Sequence, residues 1–452
     1  MSKNNIEPPI IVIFGITGDL SKKKLMPALY HMLSENMLPE DTKIIGTSRK
    51  PLEKQTLLSD IELCILDKDN ACDKEGLAKL SNSLQTFQLN PDNLDDFQTL
   101  KQLITKYDNS NSKIHMFYMS IPSSAYEPIV SNLAKSDFNG SNTRLLLEKP
   151  FGYDIESAKR LIEEVDKAYS ENQIYRIDHY LAKETAQNLL TFRLHNPIFS
   201  TLWNSHHIKS INIRALETIG IEGRANFYEQ TGALRDFIQS HLMQLLSIVM
   251  MDLPSDMTSE AIHSTKINFF NQLKPADPKL AIRGQYDSYR EEVKNEKSNV
   301  ETYAKLVLEH ESELWRGTKI ILETGKAMSE KTTDITVEFI TSKESNHNNL
   351  IFQLQPNEGI SLDLIVKEPG LENNMHHTAL EFRYDHIFKN YQYIDAYERV
   401  LLDAIHGDQS LFASDKEVIA TWQVLQPILD YWLSNSDQLN FYTVGSQGVD
   451  VK

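Results

Sequence analysis

A short apolar run, Ile10 to Phe14 (IIVIF), ends directly on a glycine and opens into GITGDLSKKKLMPALYHML. A run with no polar alternation is what a strand buried on both faces of a parallel sheet requires. Gly15 and Gly18 permit a tight turn, Ser21 is small where a helix must pack on the strand, and Leu25, Leu29, Met32 and Leu33 repeat at helical spacing. Strand, glycine turn and helix together present backbone amides and the positive helix end to a dinucleotide pyrophosphate. The turn lacks the GK[ST] ending of a nucleotide-hydrolysing loop, and its spacing departs from G-x-G-x-x-G. Pro27 must lie early in the helix or kink it. The second strand, Lys43 to Thr47, runs into Ser48, Arg49 and Lys50 instead of an acidic residue. A guanidinium there can grip a 2′-phosphate in a forked geometry, which points to NADP and leaves NAD as a weaker alternative.

A charged, helical and loop-rich stretch (about 52 to 110) follows, then a strand at Ile114 to Met119, a helix near Tyr126 to Ala134 and a strand at Arg144 to Leu147. That strand ends in Glu148, Lys149, Pro150, Phe151 and Gly152. Strand C-terminal ends face the ligand crevice of an open parallel sheet, so Lys149 is a site candidate. The Lys149-Pro150 bond is open to either isomer. After a helix from about Ser157 to Tyr169 comes RIDHYLAKE (176–184). It sets Asp178, His179, Tyr180 and Lys183 at a strand-to-helix corner, where they suit a small, anionic, hydroxyl-rich ligand.

Beyond Trp203 the pattern changes. Ile208 to Ala215 alternates like a half-buried strand, and ALRDFIQSHLMQLLSIVMM forms a long amphipathic helix with Leu234, Phe237, Ile238, Leu242, Leu245 and Val249 on one face. His241 lies within that apolar arc, where a histidine is ordinarily a core residue. Asp236 is five residues earlier, about 140° away on an ideal helix, so the helical wheel does not unite the two. Strand-like runs at 318–324, 334–340, 350–354, 360–366 and 378–382 then indicate a mostly antiparallel sheet with helices on one face and the other available to a partner. YREEVKNEK (289–297) reads as a solvated loop, and 394–405 and 416–432 as helices.

The fold class expected is therefore α/β plus α+β: a Rossmann-like dinucleotide-binding domain over 1–185 and a larger, mostly antiparallel α+β domain over 186–452 for substrate binding and dimerisation. With 40% hydrophobic and 24% charged residues the chain is an ordinary globular one, and its net charge of −17 argues against nucleic acid or anionic membrane as a partner. An anionic ligand then needs its own cluster of cations. Cys64 and Cys72 do not form a disulfide framework or a zinc site, and adjacent histidines at 206–207 and 376–377 lack companion ligands, so no metal is expected. No signal-like N-terminus or membrane-length apolar stretch is present, and the expectation is a cytoplasmic protein.

The segments GITGDLSKKKLMPALY, EKPFG, RIDHYLAKE, LRDFIQSHL, LETGKAMSEK, QPNEG and DAYERVLLDAIHGD occur in the order found in the glucose-6-phosphate 1-dehydrogenase family, which the chain strongly resembles from about residue 10 to 433. The resemblance implies oxidation of D-glucose 6-phosphate to 6-phospho-D-glucono-1,5-lactone with hydride transfer to NADP+, the first step of the oxidative pentose phosphate pathway. It implies that His241 is the general base and that Asp178 holds its imidazole. By the same resemblance His179, Tyr180 and Lys183 take the substrate phosphate, and Lys331 is a second cation beside it. Glu217, Asp236 and Lys326 grip the sugar, and Lys149 serves substrate and nicotinamide. Gly15, Thr17, Gly18, Asp19, Leu20, Arg49 and Tyr126 correspond to the NADP site. It further implies a homodimer through the C-terminal sheet, possibly pairing into a tetramer. Two departures are visible: Ala182 replaces a usual glycine, and Thr332, Gln353 and Asp363 stand where some relatives hold a second NADP with basic residues, so that site is not expected. The competing readings are another two-domain NAD(P)-dependent sugar oxidoreductase and a non-catalytic NADP-binding regulator.

Overall fold

A computed structural model describes residues 7–69, 72–341, 348–388, 394–435 and 438–449. Over these residues the chain packs into two compact units, one comprising Met1–Gly152, Glu156–Ala182 and Ile394–Asp415, the other Tyr153–Ile155, Lys183–Tyr393 and Lys416–Lys452.

The first unit is built on six parallel strands: β1 (Ile10–Phe14), β2 (Lys43–Ser48), β3 (Leu84–Gln88), β4 (His115–Met119), β5 (Thr143–Leu147) and β6 (Ile174–Ile177). They lie in the order β6-β5-β4-β1-β2-β3, so the sheet winds outward in both directions from the β1/β4 neighbours. β1 and β4 are buried at every position, which is why they read as uniform apolar runs. β3 lies within the stretch that the sequence marks as helical and loop-rich: LQTFQ is half-exposed at the sheet edge and carries no apolar signal. Helix Met26–Ser34 packs Leu29 and Leu33 into this core; it runs on directly from a π-helical turn, Ser21–Leu25, and Pro27 lies just past that junction, where the ladder of backbone bonds is already irregular.

The unit is completed from far along the chain. Helix Ala396–His406 buries Val400, Leu401, Ala404 and Ile405 among Leu25, Leu29 and Tyr175, and Phe412–Ala413 adds a short antiparallel strand beside β6. The boundary expected at 185/186 treats everything downstream as one block; residues 394–415 depart from it because their apolar face fills the first core.

The second unit carries β7 (Ile208–Leu216), β8 (Ala281–Tyr286), β9 (Tyr303–Leu308), β10 (Lys319–Gly325), β11 (Thr332–Phe339), β12 (Asn349–Gln355), β13 (Gly359–Lys367) and β14 (Met375–Arg383). With Asn440–Tyr442 they form one sheet in the order β14-β13-β12-β11-β7-β10-β9-β8 and then the terminal strand. Pairing is antiparallel except between β7 and β10 and between β8 and the terminal strand. β12 alternates between buried and half-buried, as a sheet covered on one face dictates, whereas β14 is largely exposed along its length. Part of the presumed loop at 289–297 is a short helix, Tyr289–Val293, because Tyr289 is fully buried and anchors it.

Candidate active site

The sheet of the first unit determines where a ligand can lie. A cavity of about 690 Å³ opens at the C-terminal ends of β1, β2 and β4, lined by Gly15, Thr17, Gly18, Thr47, Ser48, Arg49, Lys50, Ser120 and Ile121 among others. This is the point where the strand order reverses, the position at which open parallel sheets bind nucleotides. Gly15 has φ +81°, and a Cβ there would sit 2.5 Å from the Ser120 carbonyl oxygen, so no larger residue keeps this turn. The Ser21 hydroxyl fastens the turn, donating to Gly15 O (3.0 Å) and reaching Ser120 Oγ (2.8 Å). Arg49 and Lys50 are exposed on the cavity wall, two cations available to a phosphate ester. Asp19 and Leu20 stand on the first helical turn, Asp19 paired with Lys23 at 3.2 Å.

Tyr126 is fully buried, and Ser124 and Ala125 stand on the cavity wall in its stead. Its hydroxyl accepts from the Glu148 N–H (3.0 Å) and donates to the Glu148 carbonyl (2.9 Å), clamping the residue before Lys149. Lys149-Pro150 is cis. The Glu148 carboxyl accepts from Tyr118 (2.5 Å), and burial, opposed by Tyr118 and Lys149 and reinforced by Asp178, pushes its pKa up to about 7. Asp178 is buried at the end of β6, and its Oδ1 accepts from the Tyr180 N–H (2.9 Å), a turn that sets the next residues. His179 is half-buried between the rings of Tyr180 and Tyr397, at 5.1 and 6.2 Å.

In the second unit the register of the sheet does the gathering. β7 and β10 are parallel neighbours with Leu216 opposite Gly325, so the residues that follow, Glu217 and Lys326, emerge side by side and pair at 2.5 Å. β11 starts at the same end, with Thr332 opposite Leu216, which brings Lys331 there, and Gln355 closes β12 opposite Thr333. Lys183 donates to Gln355 Oε1 (2.7 Å), joining a residue of RIDHYLAKE to the QPNEG turn. The Lys326 ammonium lies over the rings of Tyr228 (5.5 Å) and Phe237 (5.9 Å), and Phe237 meets the His241 ring edge-on at 5.4 Å.

His241 is fully buried and Asp236 nearly so. The separation expected on an ideal helix does not hold, because Leu234–Leu242 is π-helical. Hydrogen bonding from i to i+5 stacks residues five apart, and the two therefore share a face. The segment starts at a break at Gly232 (φ +65°), where a Cβ would collide with the Glu301 carboxylate; that carboxylate accepts from the Leu234 N–H (3.0 Å). Glu217, Asp236, His241 and Lys326 are thus gathered around Phe237 and Tyr228. Those two aromatics, Gln355 and Glu301 were not singled out as site residues from the sequence. QPNEG was a marker without a role, and LRDFIQSHL carries no periodicity that distinguishes π from α.

A dinucleotide cavity at a strand-order reversal, joined in one chain to a sheet whose end gathers paired acids, lysines and a helix-borne histidine, defines a two-domain NAD(P)-dependent oxidoreductase. The chain belongs to the glucose-6-phosphate dehydrogenase family: the model "Glucose-6-phosphate dehydrogenase, NAD binding domain" matches residues 12–188 and "Glucose-6-phosphate dehydrogenase, C-terminal domain" matches 190–451. Members of that family are NADP-dependent enzymes acting on the CH-OH group of donors.

The glucose-6-phosphate 1-dehydrogenase of Chlamydia muridarum is 35% identical over 98% of this chain and 94% of its own, and that of Dictyostelium discoideum 34% identical over 97% and 91%. A solved glucose-6-phosphate dehydrogenase in complex with its substrate glucose-6-phosphate superposes with a TM-score of 0.92 at 31% identity, covering 100% of this chain and 97% of that one. Levoglucosan dehydrogenase (TM-score 0.54, 10% identity) and the transcriptional regulator Gal80p (0.53, 12%) share the fold alone, so chemistry has to be argued from side chains.

Proposed function

We propose that this chain oxidises D-glucose 6-phosphate at C1, yielding 6-phospho-D-glucono-1,5-lactone and NADPH, and so supplies the first step of the oxidative pentose phosphate pathway. The observation that supports this most is the end of the second unit's sheet, where Glu217, Lys326, Asp236 and His241 offer donors, acceptors and one imidazole to a polyhydroxyl ring.

The nicotinamide, when bound, accepts the hydride. His241 takes the anomeric hydroxyl proton as the C1–H bond gives up its electron pair and the C1–O1 double bond forms. Asp178 holds the imidazole in one tautomer and stabilises its cation. His179, Tyr180 and Lys183 take the phosphate, with Lys331 as a further cation; Lys183 is held in place by Gln355. Glu217, Asp236 and Lys326 bind the sugar hydroxyls, and Lys149 hydrogen-bonds substrate and nicotinamide. Fixing the remote phosphate orients C1, so binding energy made far from the reaction lowers its barrier.

Gly15, Thr17, Gly18, Asp19, Leu20 and Arg49 form the NADP site, with Arg49 reading the 2′-phosphate. Tyr126 contributes from behind, through its grip on Glu148. The close approach at Gly15 and the exposed cations on the wall fit such a ligand. An assay of NADPH formation with glucose 6-phosphate and with free glucose tests the reading: the phosphate ester is expected to be preferred by orders of magnitude in kcat/KM, and equal efficiencies reject it.

We also propose that two copies pair through the exposed strand β14 and the end of β13 beside it, whose Val366, Met375 and Leu380 are 43%, 67% and 63% exposed. Light scattering of a Leu380→Asp variant checks this, and an unchanged mass would refute it. A cytoplasmic location accords with the relative named cytoplasmic from Arabidopsis thaliana; among the described residues no helix is long and apolar enough to cross a membrane.

A further inference from the structure

π-Helical turns are rare and usually single, yet Leu234–Leu242 sustains this bonding over nine residues. Something outside the helix must hold it. Gln239 donates Nε2 to Thr421 Oγ1 (3.0 Å), and Gln244 donates Nε2 to Glu417 Oε2 (3.1 Å). All four residues are at least 96% buried. Thr421 and Glu417 are four apart on the α-helix Asp415–Ser434 and so project from one face. Gln239 and Gln244 are five apart, and on an α-helix they would diverge by about 140°, out of reach of a single neighbour. Gln239 lies in the π segment and Gln244 just past its end, at the start of the α-helix Met243–Met250, and the wider π turn through His241 brings the two amides toward that one face.

The far rung is itself anchored. Glu417 pairs with Lys266 Nζ and His263 Nδ1, each at 2.6 Å. Burial alone would raise its pKa, but the Lys266 ammonium and the His263 hydrogen bond outweigh it and hold the carboxyl down at about 2. Thr421 donates its own proton to the Val418 carbonyl (2.9 Å), which leaves its oxygen oriented to accept from Gln239.

We propose that this two-rung ladder holds the π register, making Gln239, Gln244, Glu417 and Thr421 positioning residues for His241 and Asp236. The claim rests on the reading of His241 as the base, so its test has an arm that needs no turnover. Glu417 is a poor target because its loss leaves a buried ammonium unpaired. Thr421→Val removes one rung at nearly constant shape, and Thr421→Ser restores it.

Thr421→Val is expected to lower kcat for glucose 6-phosphate about tenfold with KM changed less than about twofold, to speed amide hydrogen exchange across 234–242, and to be rescued in both by Thr421→Ser. Wild-type kcat in Thr421→Val overturns the positioning role, and so does a fall in kcat with exchange across 234–242 unchanged. Should the wild-type protein not oxidise glucose 6-phosphate at all, the functional reading fails separately, and hydrogen exchange in the same variants still decides whether the ladder holds the register.

Discussion

The two sheets solve the problem of presenting a site in opposite ways. In the first unit, parallel strands buried on both faces place the ligand at their C-terminal ends, and the backbone itself, through Gly15, Gly18 and a helix start, makes the cavity. In the second, β7, β10, β11 and β12 contribute single side chains at one sheet end, and the register of pairing decides which residues meet. A backbone site tolerates change at most side chains and fails where a Cβ intrudes. A register site is the reverse, with each side chain individually exposed to loss.

The largest expected effect tests the side-chain half of this contrast. His241→Asn should lower kcat by about 10²-fold or more with modest change in KM; near-normal turnover in steady-state assays would remove the imidazole from the reaction. Next comes Arg49→Ala, which should weaken NADP by roughly 10-fold or more while leaving NAD nearly unaffected, because only the former carries the 2′-phosphate; comparable losses in a titration of both cofactors would mean that the wall cation reads something else. Lys326→Met removes the partner of Glu217 and should raise KM for glucose 6-phosphate several-fold with NADP affinity unchanged. A parallel loss of NADP affinity would show that the two sites are not separable in this way.

The smallest effect on turnover is expected at Glu148. Its pKa, raised to about 7 against an ordinary value of 4.5, means that the folded state binds a proton the unfolded chain has released between those values. Its stabilisation is therefore full below about pH 4.5 and is lost as pH rises through 7, an effect of at most about 3 kcal/mol. Glu148→Gln should remove that decline, and denaturant titrations showing the same pH slope in both proteins would contradict the burial argument.

Legibility in the sequence followed the same division. β1, β2, β4 and β5 were readable because burial on both faces writes a continuous apolar run, and β7 because one covered face writes alternation. β3, β8 and β9 were not: LQTFQ and AIRGQY are polar segments held by their neighbours' hydrogen bonds and not by their own composition, and YAKLVL is a short run that its place between β8 and β10 makes a strand. The chemistry-bearing residues were recognisable by type and by family markers. Their arrangement was not. The Glu217–Lys326 pair depends on a parallel pairing between strands distant in sequence, and the shared face of Asp236 and His241 depends on a π register that has no side-chain signature. Family markers led to Tyr126 as a cofactor residue; the structure shows its hydroxyl occupied with the Glu148 backbone, a support for Lys149 that no motif announces.

The late segment 394–415 has a consequence for how the protein comes into being. A ribosome delivers all six parallel strands of the first unit long before it delivers Val400, Leu401 and Ala404, so during synthesis the side of Leu25 and Leu29 that these residues cover stays open while β7 to β14 are made. The nascent chain then carries an exposed greasy seam for most of translation. A gene fragment stopping near residue 185 should yield a sticky, chaperone-bound product and not a free-standing nucleotide binder.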